Sequence, residues 1–173
     1  MQRRFHTVLR AVKSPANVGL IVRQHAAFAG GRLIFVGERP WQFSKSSRAF
    51  SRRMEALCEI VHLANDSDLF QWARRSGVHL AAVEIDRRAQ PLPAFAFPEE
   101  TAIVVGNERD GLPVEFLNRC DTVVKIPQYG PVACLNVAAS AIIAMYELRR
   151  AEATTLAISG AKYDVPATTL EFD

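Results

Sequence analysis

Short apolar runs recur along this chain, separated by longer stretches suited to helices, and that rhythm organises everything else. The runs predict strands at 6–12, 32–37, 57–63, 78–85, 101–106 and 122–126. Helices are expected to fill most of the gaps, at 18–29, 43–56, 67–76, 113–118 and 134–150. Ile103-Val104-Val105 has no polar alternation, as befits a central strand covered on both faces. Strands that alternate with helices point to an α/β domain with a mostly parallel sheet and helices on both faces.

The rhythm breaks twice. Between 86 and 100 the chain turns Pro-rich, with Pro91, Pro93 and Pro98, and reads as a surface connection. From Ala151 large hydrophobes thin out, so the expected organisation is one domain over 1–150 and a tail over 151–173 that forms an arm or is disordered. With 173 residues, 49% of them hydrophobic, the chain can bury one good core. Its longest apolar stretch, 132–146, is interrupted by Cys134, Asn136 and Ser140 and falls short of a membrane span. No secretory signal opens the chain, which makes a cytoplasmic location the expectation.

Charge changes the picture more than composition does. Residues 1–53 carry 11 Lys or Arg against the single acid Glu38, a balance of +10, while the remainder carries −7. Such a concentration of positive charge is an electrostatic footprint for a polyanion. Lys45, Arg48, Arg52 and Arg53 form the expected RNA-facing patch, with the ring of Trp41 available for stacking. The three cysteines, Cys58, Cys120 and Cys134, form neither an even framework nor a Cys-x-x-Cys pair, so neither a disulfide scaffold nor a zinc site is expected. The four histidines lack ligand spacing, and no metal is expected.

Three segments, each where a strand gives way to a loop or helix, carry the candidate chemistry, because open parallel sheets bind ligands beyond the carboxyl ends of their strands. In the first, Asn17 is placed to cap a helix starting at Val18, with Arg23 about one and a half turns along it. A guanidinium near a helix N-terminus opposes the dipole there, a conflict that a phosphate partner would resolve. The second is Gly106-Asn107-Glu108-Arg109-Asp110-Gly111-Leu112-Pro113. Leu112-Pro113 stands where a P-loop requires Lys-Ser/Thr, so a triphosphate cradle is excluded, and no Gly-x-Gly-x-x-Gly is present. The third runs from Ile126-Pro127-Gln128-Tyr129-Gly130 to Cys134-Leu135-Asn136-Val137. Its proline and glycine leave backbone groups free for a base edge, and it leads into a helix so apolar that a partner surface is needed to cover it.

In this order the three segments resemble the motifs of the SpoU/TrmH family of SPOUT RNA 2′-O-ribose methyltransferases: an Asn six residues before an Arg, Gly-x-Glu-x-x-Gly-Leu, and Ile-Pro-x-x-Gly followed by Ser-Leu-Asn-Val. The resemblance covers residues 7–149. It implies a deep C-terminal trefoil knot, a homodimer through the knot region and last helix, and S-adenosylmethionine as cofactor. Carried onto this chain, it implies cofactor contacts from Gly106, Asn107, Glu108, Gly111, Ile126, Gln128, Gly130, Cys134, Leu135 and Asn136. It implies catalytic roles for Arg23, Asn17 and Asn136, and a structured RNA, tRNA or rRNA, as substrate. The family's separate N-terminal RNA-binding domain has no counterpart before the first strand, which shifts RNA contact to Arg23 and the basic patch, a partner subunit or the tail. One departure stands out. Cys134 occupies the family's Ser position and is a weaker hydrogen-bond donor, so a catalytically inactive RNA-binding module is the alternative.

Overall fold

The computed structural model describes residues 3–150 and the backbone of 156–160 and 163–170. Seven strands form one parallel sheet: β1 (Arg4–Arg10), β2 (Arg32–Val36), β3 (Glu59–Leu63), β4 (His79–Val83), β5 (Gln90–Pro91), β6 (Glu100–Val105) and β7 (Thr122–Lys125). Their order is β3-β2-β1-β6-β4-β7-β5. β1 therefore lies between β2 and β6, and its register sets Thr7 opposite both Leu33 and Ile103. The order reverses beside β1, the kind of place where such sheets open a crevice for ligands.

Successive residues of the central strands point to opposite faces, and both faces are dry. Phe5, Leu9, Leu33, Phe35, Ile103 and Val105 pack with helices α1 (Pro15–Ala27) and α5 (Val137–Arg150). Val8, Ile34, Val36, Ala102 and Val104 pack on the other side with α3 (Asp66–Ser76) and the short α4 (Val114–Leu117). This two-sided burial explains why the strands read as continuous apolar runs. The expected parallel sheet with helices on both faces is what the chain forms.

Several local expectations need correction. Helix α1 begins at Pro15, not Val18, and its cap is Ser14, whose Oγ accepts from the Asn17 amide. A proline in the first turn needs no backbone donor there, so the helix extends further back than Asn17 suggests. The helix expected over 43–56 is broken in two: α2 (Lys45–Ser51) stops where Arg52 and Arg53 both turn left-handed, at φ of 54° and 61°, and a 3₁₀ turn follows over Met54–Leu57. Leu57 consequently belongs to that turn and β3 starts at Glu59. Likewise α5 starts at Val137, not Cys134, because the Asn136 side-chain oxygen accepts from the Ala138 and Ala139 amides and caps it. The two-residue β5, inside the Pro-rich connection, was not anticipated. In the tail, expected to be an arm or disordered, the described backbone forms two strands, β8 (Leu156–Gly160) and β9 (Tyr163–Leu170), paired antiparallel with each other, an arrangement that an arm allows.

Candidate active site

At the carboxyl ends of β1, β4, β6 and β7, one carboxylate gathers distant parts of the chain. Glu108, in the loop after β6, accepts from the backbone amides of Lys13 (3.1 Å) and Ser14 (2.9 Å), just ahead of α1. It also accepts from Asn17 Nδ2 at 3.0 Å. The Asn17 oxygen in turn accepts from Asn136 Nδ2 at 3.0 Å, and Asn136 caps α5. This relay joins all three segments singled out in the sequence. Partial burial, the largest single influence on Glu108, pushes its carboxyl upward, but the hydrogen bonds donated by Asn17, Ser14 and Lys13 together outweigh it and hold the group below its ordinary value. An anion here also sits favourably at the start of α1.

The loop that presents Glu108 is a tight one. Gly111 N donates to Asn107 O, and Asn107 Oδ1 accepts from the amides of Arg109 (2.9 Å) and Asp110 (2.8 Å). A Cβ on Gly106 would lie 2.4 Å from the Gly111 carbonyl oxygen, and Gly111 itself has φ of +62°. Both positions thus need glycine, one for close approach and one for a left-handed backbone. Beneath the loop lies Glu84, which follows β4. Its Oε2 accepts from Leu112 N at 2.9 Å and its Oε1 from Ile85 N at 2.8 Å.

Together these elements enclose a cleft of about 420 Å³. Of the residues expected to bind a cofactor, Gly106, Asn107, Glu108, Gly111, Ile126, Gln128, Cys134, Leu135 and Asn136 line it, and Gly130 does not. Val83, Val105, Ile126 and Leu135 supply apolar wall. Among the described residues the backbone of 127–135 makes no hydrogen bond, and the buried Gln128 Oε1 has no partner. Unpaired polar groups beside an apolar wall suit a flat heteroaromatic base with an amine edge. Sequence reasoning missed Glu84, Ser140 and the apolar strand ends among the lining residues. Glu84 was hidden because the strand expected over 78–85 runs through it, whereas β4 ends at Val83. A larger depression of about 810 Å³ lies at the opposite end of the sheet, bounded by Arg74, His79, Glu100 and Arg119, away from all three motifs.

Two expected residues behave differently from expectation. Asn17 is not a helix cap. It is buried within the first turn of α1 and spends its side chain on Glu108 and Asn136. Arg23 falls in the second half of α1, exposed and outside the cleft lining, so the predicted conflict with the helix N-terminus does not arise. The basic patch is real as a surface: Lys45, Arg48, Arg52 and Arg53 are all exposed, on and just after α2, which packs across Gly19 of α1. Arg48 shares its charge with Glu55 at 3.5 Å. Trp41, however, is not a free platform. Its ring stacks on Phe35 at 5.7 Å and meets Phe43 edge-on, as part of the core on the α1 side.

Residues 4–146 match the sequence model of the SpoU rRNA Methylase family. A tRNA (guanosine(18)-2′-O)-methyltransferase of Mus musculus is 26% identical over 149 residues, which are 85% of this chain and 9% of that protein. A 23S rRNA (guanosine-2′-O-)-methyltransferase of Coxiella burnetii is 29% identical over 145 residues, 83% of this chain and 57% of that one. The chain therefore spans little more than half of the bacterial relative and a small part of the mouse one. Among solved structures, an AdoMet-bound rRNA methyltransferase from Sinorhizobium meliloti superimposes with a TM-score of 0.81 at 28% identity, covering 87% of this chain and 57% of that one. A protein solved in a study of 2-OH methylation of C/U34 on tRNA gives 0.76 at 27% identity, covering 86% of this chain and 95% of that one.

Proposed function

From the premise that the chain belongs to the SpoU rRNA methylase family, we propose that it is an S-adenosylmethionine-dependent RNA methyltransferase acting on a ribose 2′-hydroxyl of tRNA or rRNA. The observation that carries this reading is the Glu108–Asn17–Asn136 relay, which ties the family's three motifs into one hydrogen-bonded unit at the cleft. S-adenosylmethionine supplies a methyl group already activated on a sulfonium, so most of the protein's task is positioning. The apolar wall and the unpaired Gln128 oxygen fit its adenine, and Glu108 and Asn136 fix the loops around it. The family also implies the deep trefoil knot in the C-terminal part of the sheet.

Arg23 orients the RNA phosphate and stabilises the ribose oxygen as its proton passes to water. Since Arg23 lies outside the cleft of its own chain, the reading includes a homodimer in which the partner's Arg23 approaches the cleft. The exposed Ile143 and Tyr146 on α5, one turn apart on one helix face, are the apolar surface such a dimer would cover. Lys45, Arg52 and Arg53 extend the RNA-facing surface. A cytoplasmic location goes with an RNA substrate. Among the described residues no helix is long and apolar enough to cross a membrane.

Calorimetry with S-adenosylhomocysteine, followed by methyl transfer to total RNA, tests the reading. Arg23→Ala is expected to leave ligand affinity nearly unchanged while lowering single-turnover transfer by about 100-fold, the scale of losing one electrostatic stabiliser. Arg23→Lys should rescue little, because a point charge cannot replace a planar fork. One observation favours a second reading: Cys134 lines the cleft where the family has Ser. A chain that binds ligand and RNA tightly but transfers no methyl, with or without Arg23, would be a non-catalytic RNA-binding module.

A further inference from the structure

Three acids line the cleft: Glu84, Glu108 and Asp110. They differ in what they have left to give. Glu108 already accepts three hydrogen bonds that hold α1 in place. Asp110 is largely in water, its side chain 73% exposed beside Arg109. Glu84 is half-buried, and each of its oxygens accepts one backbone amide, Ile85 N and Leu112 N. A carboxylate offers about four lone-pair sites, so two are unused. Gly111 makes room for this arrangement, since a Cβ there would stand 2.4 Å from Glu84 Oε2. The carboxylate is thus clamped in one orientation at the carboxyl end of β4, directly under the glycine loop.

A fixed carboxylate with two free lone pairs is complementary to a vicinal diol, and an acid at a strand end is how other parallel sheets hold a nucleoside ribose. We propose that Glu84 is the ribose-recognising residue of this cleft, accepting the 2′- and 3′-hydroxyls of the adenosine moiety. The proposal rests on the cofactor reading above and adds to it a residue outside all three motifs. Glu84 also holds the loop backbone at Leu112, so the ribose contact and the order of the 106–112 loop are joined through one side chain.

The test compares S-adenosylhomocysteine with its 2′,3′-dideoxy analogue, by calorimetry, on the full chain and on Glu84→Gln. The full chain should bind the analogue about 10- to 100-fold more weakly, as expected for loss of two hydrogen bonds to a charged acceptor. Glu84→Gln should weaken the parent ligand by a similar factor and bind the two ligands with about equal affinity, the signature of a removed pairwise contact. Equal binding of the two ligands by the unsubstituted chain would overturn the proposal, whatever the variant does. So would a variant that weakens both ligands alike and keeps the original ratio, which would make Glu84 a support for the loop alone. An unsubstituted chain that binds neither ligand would instead bring down the methyltransferase reading itself.

Discussion

Cys134 and Cys120 show how differently one residue type is placed in this chain. Burial pushes the Cys120 thiol up to about 12, with Asp121 and Asp66 adding to it, and burial also raises Cys58. Cys134 is exposed on the cleft wall. Since the thiolate is the reactive form, a thiol reagent at neutral pH should modify Cys134 first, and S-adenosylhomocysteine should slow that reaction alone. Mass spectrometry of partially labelled protein checks both statements. His25 gives a second prediction. Buried against Phe5, with Nδ1 at 2.9 Å from Thr7 Oγ1, it is lowered by desolvation from 6.5 to about 4. The unfolded chain therefore binds the proton that the folded chain refuses. The stabilisation is complete above pH 6.5 and is lost as pH falls toward 4, at up to roughly 1.4 kcal/mol per pH unit. His6, also lowered chiefly by burial, adds in the same direction. Urea unfolding at pH 7 and pH 5 should show the acid sample less stable by about 1–2 kcal/mol; equal midpoints would contradict the assignment.

At the scale of elements, the strands were legible and the joints were not. Six of the sheet strands show in the sequence as apolar runs, the central ones because both faces of the sheet are covered there. The paired Arg52 and Arg53 that end α2 carry no mark of their own, since arginine is a good helix former; at the break Ser51 Oγ accepts from the Arg53 amide. Asn17 misled for a related reason. A short polar residue before an apolar run reads as a cap, whereas its partners Glu108 and Asn136 are 91 and 119 residues away. The motifs located the cleft, but nothing local revealed that Glu84 would reach under the loop. The loop itself yields a prediction. Gly106→Ala would drive a Cβ into the Gly111 backbone, which cannot rotate away, so the loop must open at a cost of about 1–3 kcal/mol. Melting temperature and ligand affinity should both fall. Gly37→Ala, with nothing within 4 Å of the added carbon, should change neither.

For the molecule as a whole, α5 carries the surface that the proposed dimer would cover. Its inner face is spent on the core through Ala138, Ala141, Ala144, Met145 and Leu148, while Ile143 stays 38% and Tyr146 54% exposed. Ile143→Asp should leave the fold and the melting profile of the isolated subunit intact yet shift sedimentation from dimer to monomer, because a charge cannot be buried in an apolar contact without a partner. A parent chain that sediments as a monomer well above assay concentrations would remove the dimer from the proposed function. The sheet order has a different consequence, for biosynthesis. β1 leaves the ribosome well before β6, one of its two neighbours, with Arg4 paired opposite Glu100. Until that strand has been translated, β1 keeps an open, apolar edge, the kind of surface on which nascent chains associate wrongly. Most of the cleft, from Gly106 to Ser140, is made later still, so a truncated translation product would expose the hazard of the fold with little of its binding capacity.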